Sequence, residues 1–197
     1  MRWNLWLQWL LINIFGFAIA TVVSMSLTQV TFGAVFLAGA IVGAIVGTAQ
    51  ESILGSKLSN WGGQWIVLTT VGGGIGWLAG AMGSASVSSV LPLPEAGRVG
   101  AYATLTGACI GMIVGLFQVI ALRQKSAKAG WWIPASILGR AAGWLVGFLI
   151  VSLNIYPLGF AEPDWTNFVF VGASGGSVYG SITGFALIWL LRNPQNA

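Results

Sequence analysis

Long runs without a charged side chain make up most of this sequence. The first run covers residues 3–50 and is long enough for two membrane-spanning helices, since each needs about 20 mostly apolar residues. Each later run is long enough for one helix; these runs cover 58–94, 99–122, 130–153 (interrupted only by Arg140) and 165–191. The pattern predicts six transmembrane helices, near 4–25, 31–54, 61–83, 99–122, 130–153 and 168–191.

The composition supports a membrane environment. Of the 197 residues, 56% are hydrophobic and 6% are charged, whereas soluble domains carry about 25% charged residues. So few polar groups could not cover the surface of a soluble fold. We therefore expect an all-α, polytopic integral membrane protein. The net charge of +4 comes from few and scattered basic residues, so we expect no nucleic-acid partner.

The distribution of lysine and arginine predicts the orientation, because cytoplasmic loops carry an excess of these residues. If both termini are cytoplasmic, the outer loops hold only Arg98, and the inner side holds six basic residues: Arg2, Lys57, Arg123, Lys125, Lys128 and Arg192. A cleaved signal peptide is the alternative for the first helix, with Ala18-Ile19-Ala20 as a small-residue cleavage site. The chain remains apolar directly after that site, which argues against cleavage.

A glycine-rich motif recurs in the second, fourth and sixth predicted helices and indicates an internal repeat. Three segments align: Gly43–Gln50, Gly111–Gln118 and Gly180–Leu187. The other helices share a tryptophan near their start: Trp9, Trp65 and Trp132. The repeat is a two-helix hairpin, with units at about 1–56, 57–125 and 126–197. We expect a single domain, residues 1–197, in which the hairpins close into a pseudo-threefold bundle; an open row of hairpins is the alternative.

Glycines recur at every fourth position in five of the six predicted helices. Residues four apart share one helix face, and a face without side chains lets a neighbouring backbone approach closely in lipid. We predict that these glycines pack helices together; the alternative is that they line a narrow pore or hold a planar pigment. They are Gly39, Gly43, Gly47, Gly72, Gly76, Gly80, Gly107, Gly111, Gly115, Gly139, Gly143, Gly147, Gly172, Gly176, Gly180 and Gly184.

Glutamines near the cytoplasmic helix ends occur in pairs. The first hairpin holds two and the second holds two: Gln8 with Gln50, and Gln64 with Gln118. The third has apolar residues at both aligned positions, Trp131 and Leu187. An amide left alone in hydrocarbon is unsatisfied, so this joint loss predicts that the two glutamines of each pair contact each other. A polar vestibule for a substrate is the alternative.

Arg140 lies near the middle of the fifth predicted helix, where a charge costs about 2.5–3.5 kcal/mol. Such a residue should face protein or water and marks a candidate ligand site. The alternative is a structural arginine paired with Glu51, the acid nearest the inner half of the bundle. Asn13 is the other polar residue at depth. The candidate intramembrane polar site therefore contains Arg140, Glu51, Asn13 and the four glutamines.

Side chains suited to catalysis are scarce. The sequence has no histidine and a single cysteine, Cys109, and it shows neither metal-ligand spacing nor an intramembrane carboxylate pair. We expect neither an enzyme nor a metal site. No recognisable motif encodes a cofactor, and the glycine-rich faces leave a pigment or a lipid as open possibilities.

The stretch Gly111-x-x-x-Gly115-x-x-Gln118, with the later Ala129-Gly130-Trp131-Trp132-Ile133 and Gly139-x-x-x-Gly143-Trp144, resembles a group of uncharacterised multi-pass bacterial membrane proteins frequent in cyanobacteria. The resemblance covers most of the chain, because the pattern recurs. It implies a polytopic fold and assigns no functional residue. Mitochondrial carriers also have three two-helix repeats, but their P-x-[DE]-x-x-[KR] signature is absent at all six prolines.

Two classes of function fit this sequence. The first is a structural or accessory membrane protein that packs against membrane lipids, pigments or other membrane subunits through its glycine-rich and tryptophan-rich helices. The second is a small channel or carrier with a path near Arg140 and the glutamines. Broken helices around a midplane site would favour transport, and Gly72-Gly73-Gly74 is the only candidate break.

Overall fold

The computed structural model describes residues 3–25, 31–57, 63–88, 94–153 and 165–194. Within these ranges the chain is helical, and a short 3₁₀ helix at Ala129–Trp131 precedes the fifth α-helix. The α-helices are α1 (Trp3–Met25), α2 (Phe32–Lys57), α3 (Gln64–Ser88), α4 (Glu95–Leu122), α5 (Trp132–Ser152) and α6 (Trp165–Leu190). Arg2, one of the basic residues used to predict orientation, lies outside the described ranges.

Some helices extend beyond the charge-free runs that predicted them. Helix α4 begins at Glu95, directly after Pro94, rather than near residue 99, and the Arg98 amide donates to the Pro94 carbonyl at 2.9 Å. Charge therefore marks the edge of the hydrocarbon region but not the end of the helix.

The six helices form a closed ring. Each helix packs against its neighbours in the chain, and α6 packs against α1. Glycines bring the even-numbered helices close to the next odd-numbered helix. A Cβ atom added at Gly43, Gly111 or Gly176 would collide with a backbone carbonyl of the facing helix, that of Thr69, Ser136 or Asn13 respectively. These contacts are possible only because glycine has no side chain.

The outer surface of the ring is apolar. Along α1, large exposed side chains recur at every fourth position: Leu7, Leu11, Phe15 and Ile19. Helix α4 repeats the pattern with Met112, Leu116 and Ile120. A helix that is apolar on both its inner and outer faces is typical of a membrane span.

Five helices, α1 to α5, are long and apolar enough to cross a membrane, as judged from the described residues. This defines an integral membrane protein. Helix α6 has 26 residues and no charged side chain.

Candidate functional site

Three tryptophans meet inside one end of the ring, and we call them the tryptophan triad: Trp9, Trp65 and Trp132. Their ring centroids lie 5.8 to 6.4 Å apart, with interplanar angles of 67° to 74°. All three side chains are fully buried. They belong to α1, α3 and α5, which are not neighbours in the ring, so their contact fills its centre. Edge-to-face packing of this kind adds to the burial of the large rings.

Each indole of the triad donates a hydrogen bond to a polar side chain on the preceding helix of the ring. Trp65 donates to Gln50 Oε1 at 2.9 Å, and Trp132 donates to Gln118 Oε1 at 2.7 Å. Trp9 donates to Thr183 Oγ1 at 2.9 Å. The buried indole N–H groups are therefore satisfied, which fixes the orientation of the rings.

The two buried glutamines also bind within their own hairpins. Gln50 Nε2 donates to Asn13 Oδ1 at 2.8 Å, and Gln118 Nε2 donates to Thr69 Oγ1 at 2.9 Å. A longer contact of 3.4 Å joins Gln118 Nε2 to Gln50 Oε1. In the third hairpin Ser136 corresponds to Asn13 and Thr69, and its buried hydroxyl has no hydrogen-bond partner in the part of the chain that the structure describes.

The predicted pairing of Gln50 with Gln8 and of Gln118 with Gln64 is wrong. Gln8 is exposed on the outside of α1, whereas Gln50 is fully buried. Gln64 is half-buried and accepts a hydrogen bond from Gln124 at 3.3 Å. The polar partners on the odd-numbered helices are instead Asn13 and Thr69, each five residues further along. A step of five residues changes the face of a helix, because one turn takes 3.6 residues.

The predicted register of the third repeat is also wrong, by one helical turn. A Cβ atom at Gly180 would lie 3.0 Å from Asn13 Cβ and 3.2 Å from Leu10 Cα. Gly47 has the same surroundings, at 3.0 Å from Thr69 Cβ and 3.3 Å from Ile66 Cα. Gly180 therefore corresponds to Gly47 and not to Gly43. In this register Thr183, rather than Leu187, takes the place of Gln50 and Gln118.

Arg140 lies two turns beyond the triad along α5, at a distance of about 12 Å along the helix axis. Its side chain is 4% exposed. The guanidinium carbon lies 4.3 Å from the centroid of the Phe17 ring and 4.8 Å from that of the Tyr179 ring. Both are cation–π contacts. Nε of Arg140 and the hydroxyl of Tyr179 are buried and have no hydrogen-bond acceptor among the described residues.

Glu51 does not pair with Arg140 in the described part of the chain. Its carboxylate lies beside Gly63, directly before α3, and its Oε2 has no hydrogen-bond partner among the described residues. The structural alternative for Arg140, an ion pair with this acid, is therefore not formed. The two residues lie too far apart along the bundle to pair. Glu51 follows Gln50 at the triad end, whereas Arg140 lies about two helical turns beyond the triad.

A cavity of about 270 Å³ adjoins Arg140 on the side away from the triad. All six helices contribute to the wall of the cavity. One lining residue from each, in the order α1 to α6, is Phe17, Val42, Trp77, Ala103, Trp144 and Tyr179. The lining reaches Ser24 and Val151, in the last turns of α1 and α5. The cavity is thus central to the ring and extends toward the end opposite the triad.

The cavity has a simple origin in side-chain size. Twelve residues after each triad tryptophan, α3 and α5 carry a second tryptophan, whereas α1 carries Thr21. The two indoles, Trp77 and Trp144, pack edge to face with centroids 5.7 Å apart. Thr21 is much smaller than an indole, so the third place in this layer is left open.

Sequence reasoning identified some members of this site and missed others. It selected Arg140, Asn13, Gln50 and Gln118, which are buried in the interior. It missed the acceptor Thr183 and the aromatic partners Phe17 and Tyr179. The twelve-residue spacing between tryptophans in α3 and α5, absent from α1, was the signal that could have indicated the cavity.

The site offers binding groups rather than reactive ones. The described residues contain no cluster of histidine, cysteine, aspartate or glutamate that could hold a metal ion. The arrangement provides one cation in an apolar, aromatic chamber. Comparison with known proteins finds no matching family model, no similar curated protein and no similar solved structure.

Proposed function

We propose that this protein is an integral membrane accessory protein that holds one small, mostly apolar molecule, a lipid or a pigment, inside its ring of helices. The central cavity is the observation that carries the proposal, because all six helices contribute to its wall. Small-molecule sites are typically concave and mostly apolar, with a few placed polar groups. Aromatic walls with a single arginine match that description.

In this proposal the chain spans the membrane six times, as three hairpins related by a pseudo-threefold axis. Support comes from the matching surroundings of Gly47, Gly115 and Gly180, each of which faces the equivalent pair of residues on the next helix. The triad adds one tryptophan per hairpin. Helix α6 occupies the same place in the ring as α2 and α4, between two odd-numbered helices.

The packing of buried side chains at the triad end of the ring favours an accessory role over a channel. In a channel or carrier, the path for the ion or solute would pass Arg140 and the glutamines. Gln50 and Gln118 are instead fully buried and bonded to indoles and to Asn13 or Thr69. The glycine faces are also occupied within the bundle, so partner subunits would meet the exposed apolar side chains rather than the glycines.

The test is to purify the protein in a mild detergent and to identify small molecules that accompany it by native mass spectrometry. We expect one bound molecule per chain. Val42→Phe should remove it, because Val42 lines the cavity and is 4% exposed. Val67→Phe is the matched control, since Val67 is 61% exposed, and it should keep the bound molecule.

Equal occupancy in the Val42→Phe and Val67→Phe proteins would show that the accompanying molecule lies elsewhere, and the proposal would fail. Ion flux through proteoliposomes containing the parent protein would instead favour the channel.

A further inference from the structure

We propose that the ligand of the central cavity is an amphipathic monocarboxylate whose carboxylate binds Arg140. This inference rests on the proposed function, because it names the chemical class of the molecule in the same cavity. It starts from the charge of Arg140 and from the polar atoms that surround it.

The positive charge of Arg140 lacks a counter-charge in the described part of the chain. The side chain is 4% exposed, and no carboxylate of a described residue forms an ion pair with it. A buried charge is costly unless it is paired. The rings of Phe17 and Tyr179 compensate part of that cost through cation–π contacts. An anion in the adjoining cavity would supply the rest.

The donors present fit a carboxylate. A guanidinium offers N–H groups in a planar fork that matches two carboxylate oxygens. The Tyr179 hydroxyl lies beside the guanidinium and is a further buried donor without an acceptor among the described residues, and both residues line the cavity. Arg140 is the only charged side chain among the described residues of the lining. One positive charge balances one carboxylate, whereas a phosphate monoester approaches a charge of −2.

The rest of the ligand must be apolar and of modest size. The wall beyond Arg140 is formed by Trp77, Trp144 and Phe148, and the cavity volume is about 270 Å³. This lies close to the lower limit for small-molecule sites. A medium-length hydrocarbon chain or a compact ring system meets both requirements.

The experiment uses a photoreactive diazirine analogue of decanoic acid, added to the full-length protein in lipid nanodiscs. Labelled peptides are identified by mass spectrometry, and decanoic acid, decanol and decyl phosphate serve as competitors. We expect labelling on cavity residues, with decanoic acid competing about tenfold better than decanol or decyl phosphate. Arg140→Gln should lower cavity labelling about tenfold. The control Arg123→Gln, at an exposed arginine, should not change it.

Tyr179→Phe provides a second variant that keeps the ring and removes only the hydroxyl. This variant should weaken competition by decanoic acid several-fold and leave competition by decanol unchanged. If Arg140→Gln does not fold, Tyr179→Phe alone tests the carboxylate assignment. Equal competition by acid and alcohol, with no effect of either variant, would overturn the carboxylate assignment while the proposed cavity ligand stands. Strongest competition by decyl phosphate would also overturn it. Absence of cavity labelling by the probe, together with no small molecule in the purified protein, would instead remove the proposed function itself.

Discussion

Gln118 joins three helices through one side chain. From α4 it accepts a hydrogen bond from Trp132 on α5 and donates one to Thr69 on α3. Replacing Gln118 with leucine should leave the buried Trp132 indole N–H unsatisfied. We expect a loss of about 1–3 kcal/mol in the free energy of unfolding, measured by thermal denaturation in detergent. Gln8→Leu is the control, because Gln8 is exposed and should change stability by less than about 0.5 kcal/mol.

If Gln118→Leu melted like the parent, the indole would have found another acceptor, and the network would not determine stability. The sequence identified Gln118 as a buried, paired amide but chose the wrong partner. Similar depth in the bundle and the joint loss of both glutamines in the third hairpin favoured Gln64. The true partner, Thr69, has a different side chain and lies on the inner face of α3, and no property of a single sequence identifies that face when both faces are apolar.

At the scale of helices, the glycine contacts predict a large difference between two similar substitutions. At Gly111 a Cβ atom would collide with the Ser136 carbonyl, whereas at Gly83 the nearest atom is Cys109 Sγ at 3.9 Å. Gly111→Ala should force α4 away from α5 and cost about 1–3 kcal/mol. Gly83→Ala should be neutral or should stabilise the protein by up to about 1 kcal/mol, through helix propensity. Equal melting temperatures of the two variants would contradict the close packing of α4 and α5.

The same glycines explain why the register of the third repeat was mispredicted. Helix α6 carries four glycines spaced four residues apart, namely Gly172, Gly176, Gly180 and Gly184. Sliding this helix by one turn places glycine on glycine again, so the motif alone allows more than one alignment. Only the facing residues, such as Asn13 against Gly176, select one register. The existence and order of the helices could be predicted from charge-free runs, because those depend on length and composition alone.

For the whole molecule, the lysine and arginine distribution predicts that both termini are cytoplasmic. Reporter fusions after Lys57, Lys128 and Ala197 should report the cytoplasm, and fusions near Pro94 and Pro163 should report the outer side. Pro163 and Ala197 lie outside the described residues. An outside signal at Lys128 would require a different number of spans before that point. The internal repeat predicts that the hairpins close into a bundle. The lysine and arginine distribution does not predict the cavity, because the cavity depends on how Thr21 faces Trp77 and Trp144 across the bundle.

Closure of the ring through α1 and α6 has a consequence for biosynthesis. The acceptor of the Trp9 indole, Thr183, follows it by 174 residues. During synthesis α1 therefore enters the membrane long before the helix that completes its inner face has left the ribosome. Gln50 can reach Asn13 early, whereas the indole of Trp9 must wait for the last helix. A nascent chain that stops before α6 would lack the acceptor of the Trp9 indole and would leave uncovered the backbone at Asn13 on which Gly176 packs.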